Sequence, residues 1–324
     1  MSGETAPGGA ARQMGMAAGA GPFGSALIHA AERRPEIVGV SADLSKYTDM
    51  HAFAARFPER FVNVGMAEQN LVSVAAGLAR AGCTVVATTF SAFATRRPQD
   101  FTVMQVALAR ADVKLIGAVP GILASFGPSH TGIDDIAIMR SVPGMVILDP
   151  CDAFEAGRAL EAALEYRGPV YLRQPFFRPD ASPVVADAEP FGIGAARTLR
   201  TGRDLGILAS GHLVEAALEA AAQLAAAGIQ AELLQVSTLK PFDDVRVAAL
   251  ARRFGRLVTA ENHSVVGGLY SAVCETLGRH GIGARVVPVG VPDVFPPFGT
   301  PGFVAAQLGM DAAGIVAAAH QVLA

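Results

Sequence analysis

Short apolar runs recur along the first half of the chain at Ile37–Val40, Phe61–Val64, Thr84–Thr88, Val113–Ala118, Met145–Leu148 and Val170–Leu172. Each is too short for a helix and is bounded by glycine, proline or polar residues, so each reads as a buried strand. Between them lie longer stretches whose apolar residues recur at helical spacing. One starts at Phe23 (Ala26, Leu27, Ala30, Ala31) and ends near Pro35; the others are Gln69–Ala81, Pro98–Ala109, Ile133–Arg140 and Ala153–Tyr166. Strands that are apolar throughout and alternate with helices predict a parallel, doubly wound α/β sheet. Around Pro175–Pro190 the pattern lapses into an irregular stretch holding Pro175, Pro179, Pro183 and Pro190, a linker signal. Alternation then resumes with Asp204–Ala209, Val214–Ala227, Gln230–Val236, Val245–Phe254, Leu257–Ala260, Gly268–His280 and Ala284–Pro288. The chain is therefore expected to form two doubly wound α/β domains with mainly parallel sheets. The first spans 21–187 and the second 188–324, behind a loose Gly/Ala-rich tail over residues 1–20.

Composition narrows the function classes. A net charge of −3 gives no electrostatic basis for nucleic-acid or anionic-membrane binding. Apolar residues make up 51% and charged residues 17%, which points to surface buried against other chains, including copies of itself. Cys83, Cys151 and Cys274 form no CxxC pair, a pattern expected of a reducing cytoplasm rather than of a disulfide or zinc framework. The N-terminus has no basic region before its apolar part and does not read as a signal peptide. No uninterrupted apolar run reaches the length of a membrane span.

The candidate chemistry sits at strand ends. Glu68 follows an apolar strand and Gly65, just inside the next helix; it is either an acid favoured there by the helix dipole or a functional carboxylate where open α/β sheets bind ligands. Phe90 and Phe93 lie at the turn after the next strand, as core packing or as walls for a flat heterocycle. His130, in Gly127-Pro128-Ser129-His130, is either an acid/base group on a rigid loop or an exposed histidine capping a turn. His29 and His51 fall in amphipathic helix patterns. Gly192-Ile193-Gly194 lacks a third glycine and a preceding strand, so it is a weak dinucleotide motif. The sequence contains no P-loop, HExxH, GxSxG or Gly-Asp-Gly motif.

In order and spacing these segments resemble the transketolase family, from about residue 22 to the C-terminus. The resemblance rests on Ser41-Ala42-Asp43-Leu44, Gly65-Met66-Ala67-Glu68-Gln69-Asn70, Thr89-Phe90-Ser91-Ala92-Phe93, Gly127-Pro128-Ser129-His130, Asp134-Asp135-Ile136-Ala137, Pro169 through Arg173, Glu261 through Leu269, and the 289–298 stretch. It covers the family's pyrimidine-binding and C-terminal domains only. It implies half of a two-chain enzyme that uses thiamine diphosphate. A partner chain would carry the diphosphate-binding domain and the Mg²⁺, in a heterotetramer of two copies of each; no metal ligand is assigned to this chain.

The resemblance assigns Glu68 to the pyrimidine ring nitrogen, where a shared proton favours the imino tautomer that forms the thiazolium ylid. It places Phe90 and Phe93 against the pyrimidine, and Leu44 beneath the cofactor with Asp43 beside it. His130 matches a histidine that contacts the donor sugar's oxygen. Arg173, at a strand end, is expected either to bind a substrate phosphate or carboxylate or to form a salt bridge at a subunit contact. Two positions depart from the sugar-using members. Phe126 stands where an aspartate usually bonds a donor hydroxyl, and Tyr47 where a serine touches substrate phosphate. The implied reaction is transfer of a two-carbon ketol unit from a ketose to an aldehyde, with a donor less hydroxylated or differently shaped near the cleaved bond. The β subunit of a 2-oxo acid dehydrogenase, a deoxyxylulose-phosphate synthase-like enzyme and an inactive scaffold half are the competing expectations. Glu261 and His263 are expected to be structural.

Overall fold

The computed structural model describes residues 20–175, 182–185 and 190–324. Residues 1–19 of the expected tail, and 176–181 and 186–189 of the expected linker, lie outside the described residues. The first sheet has seven strands: β1 (Ile37–Ser41), β2 (Phe61–Asn63), β3 (Thr84–Phe90), β4 (Val113–Ala118), β5 (Val146–Leu148), β6 (Val170–Gln174) and, from much later in the chain, β10 (Thr238–Lys240). Their spatial order is β10-β5-β6-β4-β3-β1-β2. Every residue of β3, β4 and β6 is buried, which is why these runs carry no alternation. The edge strand β2 is partly exposed.

The strands β2, β1, β3 and β4 are mutually parallel neighbours, so their carboxyl ends lie along one edge of the sheet. Helices α1 (Pro22–Arg33) and α2 (His51–Arg56) come before β2; α3 (Glu68–Arg80) follows β2, and α4 (Ser91–Arg96) follows β3 with no intervening loop. The helix expected over Pro98–Ala109 is broken. A short turn at Gln99–Phe101 passes into a π-helical stretch, Thr102–Ala107. Pro98, without an amide proton, cannot continue the regular ladder from α4.

The second sheet has the order β12-β11-β8-β9-β7, with β8 (Leu205–Ala209), β9 (Ala231–Gln235), β11 (Arg256–Ser264) and β12 (Arg285–Val291) parallel and β7 (Arg197–Arg200) antiparallel. Two C-terminal helices, Pro301–Leu308 and Ala312–Leu323, lie beyond the elements read from the sequence. Taken together, Pro301–Leu323 is long and apolar enough to cross a membrane by length and composition, although Gln307, Asp311 and His320 interrupt its apolar residues. Gly309, with φ of 64°, splits it into helices of 8 and 12 residues, each shorter than a bilayer requires. The second helix buries Ala312, Ile315, Ala318, Ala319 and Val322.

A buried charge cluster joins the two sheets. Arg173 on β6 donates to Asp135 through Nε (2.9 Å) and Nη2 (3.2 Å), to Asp149 through Nη1 (2.9 Å), and to the Asn262 carbonyl on β11 through Nη2 (2.8 Å). Tyr171 donates to Asp135 at 2.7 Å. Arg173 is 0% exposed, so the expected surface roles, substrate anion or subunit salt bridge, are replaced by an internal one that pins the domains together. Burial pulls its guanidinium down, but Asp135 and Asp149 more than offset this and hold it charged. The Asn262 side chain bridges the Pro120 carbonyl and the Ile122 amide across the same seam.

Glu261 and His263 are likewise buried and serve structure. Glu261 accepts the Leu269 and Tyr270 amides at the start of the helix Leu269–His280, and His263 Nε2 accepts from the Ala137 amide at 3.3 Å. Burial pushes Glu261 up to about 8.

Replacing Arg173 with methionine leaves two buried carboxylates unpaired. Chemical denaturation should show a loss of about 3–5 kcal/mol. Glu261 titrates higher when folded than at its unfolded value of about 4.3, so the folded chain keeps a proton that the unfolded chain gives up. Its contribution is full below that value and is lost as pH rises toward 8. Urea midpoints measured from pH 4 to 8 should fall less steeply in Glu261→Gln than in the parent.

Candidate active site

Four strand ends build the site. After β1 the chain turns through Asp43, an exposed residue at φ 62° whose carboxylate accepts from the Asn63 side-chain amide at 3.2 Å. After β2 it turns at Gly65, at φ 75°, where residues with a Cβ are disfavoured. This turn delivers Glu68 into the first turn of α3, where the helix dipole favours an anion. Glu68 is 3% exposed. After β3, Phe90 ends the strand and Phe93 lies one turn into α4. After β4, Val119 takes φ 56°, a conformation that costs a β-branched residue about 1–3 kcal/mol. The loop that follows carries Phe126 and His130.

The aromatic side chains from these ends meet. Phe90 stacks at 6.1 Å on Phe93 and at 6.2 Å on Phe126, and takes Tyr47 edge-on at 5.6 Å. His130 sits 5.1 Å from Phe93 and 5.3 Å from Phe126. Beneath them Phe90, Ala118, Val119, Leu123 and Ala124 form a buried apolar cluster, with Leu44, Tyr47 and Phe93 packed against it. Gly127, at φ 83°, lies so close to Phe298 of the second domain that a Cβ would overlap the ring, so the loop before His130 is seated on that domain. Ser129 Oγ lies 2.9 Å from His130 Nδ1. Partial burial, reinforced by the Arg97 charge, holds His130 below the ordinary imidazole range and hence neutral at pH 7.

The structure thus brings Leu44, Tyr47, Glu68, Phe90, Phe93, Phe126 and His130 to one edge, with Asp43 at its rim, and excludes Arg173. It adds one residue that the sequence reading missed. Arg97 donates Nη1 to both Glu68 carboxylate oxygens, at 2.9 and 3.0 Å, and its guanidinium lies 4.1 Å above the Phe93 ring centroid. A cation four residues after an aromatic on one helical face was the available signal. The arrangement can hold a planar hydrogen-bond donor between a buried carboxylate and an aromatic face, next to a neutral histidine that can accept or donate a proton.

The chain matches the pyrimidine-binding domain of transketolase over residues 17–175 and the transketolase C-terminal domain over residues 194–315. It is 45% identical over 277 residues to a putative uncharacterized transketolase family protein of Sinorhizobium fredii, y4mN, covering 85% of this chain and 80% of that protein. It is 40% identical over 297 residues, 91% of each chain, to the 6-deoxy-6-sulfo-D-fructose transketolase subunit SqwH of a Clostridium species. A solved split-gene transketolase, described as an inactive β4 tetramer, superposes with a TM-score of 0.85 at 39% identity, over 93% of this chain and 97% of that one. With its two α/β domains and these matches, the chain belongs to the transketolase family.

Proposed function

We propose that this chain is the pyrimidine-binding subunit of a two-chain, thiamine-diphosphate-dependent transketolase that moves a two-carbon ketol unit from a ketose donor to an aldehyde acceptor. The observation that carries the reading is the convergence of a buried carboxylate, Glu68, with the Phe90–Phe93 pair and His130 on adjacent parallel strand ends. A stand-in supports the fit of the cofactor's aminopyrimidine. The Arg97 guanidinium, planar and donating, already bonds Glu68 and stacks on Phe93. The diphosphate and Mg²⁺ fall to a partner subunit, in an assembly of two copies of each chain. Similarity along nearly the full length of SqwH and of the split-gene chain supports this division over the dehydrogenase and single-chain synthase alternatives.

When bound, thiamine diphosphate supplies the nucleophilic carbon and the electron sink for breaking and making the carbon–carbon bond. The chain's residues do the rest. Glu68 holds a proton against the ring nitrogen of the cofactor. Phe90 and Phe93 orient the flat ring, and the apolar cluster with Leu44 excludes water from it. Asp43 borders the cofactor side of the rim. His130, neutral at pH 7, takes or returns a proton at the donor's oxygen. Phe126 offers only carbon where an aspartate acceptor serves other sugar transketolases, and Tyr47 sets a bulky ring where a serine does. This disfavours donors carrying a hydroxyl at that place, because the hydroxyl would be left unmatched.

The test is turnover by the coassembled subunits with thiamine diphosphate, Mg²⁺ and a panel of ketoses and aldehydes. Absence of cofactor-dependent ketol transfer across that panel overturns the reading. Glu68→Gln should lower kcat by about 10²–10⁴ without loss of folding by circular dichroism. Phe126→Asp should raise kcat/KM for xylulose 5-phosphate by about tenfold, the effect of one recovered hydrogen bond. High parental activity on that sugar, unchanged by the substitution, excludes the donor preference.

A further inference from the structure

The two surfaces assigned above to the aminopyrimidine, the Glu68 carboxylate and the face of Phe93, are both taken in the free chain by Arg97. We infer that Arg97 is a positioning residue that competes with the cofactor, keeping the Glu68 carboxylate paired until thiamine diphosphate displaces the guanidinium. The inference rests on the proposed function and adds a residue whose movement sets cofactor affinity.

The geometry separates Arg97 from its neighbour. Arg96 is fixed, chelating Asp134 at 2.7–3.0 Å and donating to the Thr131 carbonyl at 2.9 Å, so it braces the His130 loop. Arg97 bonds only the Glu68 carboxylate among the described hydrogen bonds. Its side chain is 48% exposed, whereas that of Glu68 is 4% exposed. A buried carboxylate left without a donor would be costly, and Arg97 supplies one. The guanidinium can leave through solvent, because it stands at the end of α4 where Pro98 interrupts the helix. An incoming ring whose nitrogen shares a proton with the Glu68 carboxyl replaces the pairing to Arg97, and its flat face replaces the stacking on Phe93. Glu68 is thus never left bare, and the exchange is a swap of partners. Apparent affinity is then reduced by the fraction of chains in which Arg97 occupies the site.

Removing the competitor should tighten binding. Isothermal titration of thiamine diphosphate, with Mg²⁺, into the coassembled subunits should give a Kd about five- to tenfold lower for Arg97→Ala and Arg97→Gln than for the parent. Arg97→Lys keeps a cation but loses the planar stacking group, and should fall between them. Because Arg97 is half-exposed, raising the salt should narrow the gap between parent and Arg97→Gln. Equal or weaker binding by both neutral variants overturns the inference while leaving the proposed function intact. A parent assembly that binds no thiamine diphosphate overturns the proposed function and this inference with it.

Discussion

The arginine at the end of β6 binds the two halves of the molecule into one. Its guanidinium engages two aspartates of the first domain and a backbone carbonyl of the second, away from solvent. Buried charges are stable only when paired this completely, so the cluster admits few alternative arrangements. Asp135 begins the helix after the His130 loop, and Asn262 holds the Pro120–Ile122 turn at that loop's other end. The segment that carries His130 and Phe126 is therefore clamped on both sides by groups tied to the second sheet. The second domain thus sets one wall of the site.

The opposite wall is built by parallel registry. Because β1 to β4 run in one direction, each strand end delivers its side chains to the same edge, and side chains far apart in sequence come within a ring's width of each other. The carboxylate there is made useful by the dryness that also makes it expensive. Its first partner is an arginine that can leave, and this differs in kind from the buried arginine of the cluster, which cannot.

Much of this was legible in the sequence. Fully apolar runs such as 113–118 fix a buried strand by themselves, and a glycine followed three residues later by an acid marks the turn into α3. The same patterning put Glu68, Phe90, Phe93 and His130 at strand ends, and the family resemblance added Leu44. Illegible features were those decided by partners distant in the chain. Arg173 looks like a ligand-binding strand end until Asp149 and Asn262 arrive from elsewhere to bury it. The strand Thr238–Lys240 is too short to show a period, and it exists because the edge of β5 is there to pair with it. Arg97 reads as one of two solvated cations until the fold brings Glu68 beneath it. The helices Pro301–Leu308 and Ala312–Leu323 are so rich in alanine and other small apolar residues that their sequence shows little face contrast.

That strand has a structural corollary. Thr238–Lys240 closes the outer edge of the first sheet in antiparallel fashion, although the rest of its neighbourhood in the chain belongs to the second. An open β edge invites pairing with foreign backbone. Severing the polypeptide between its two sheets would leave the amino-terminal piece with bare amides and carbonyls along β5, and the carboxyl-terminal piece with an orphan ribbon seeking one. The two lobes are better regarded as an interlaced pair than as beads on a string, and neither is a natural unit for swapping or transplantation into another enzyme.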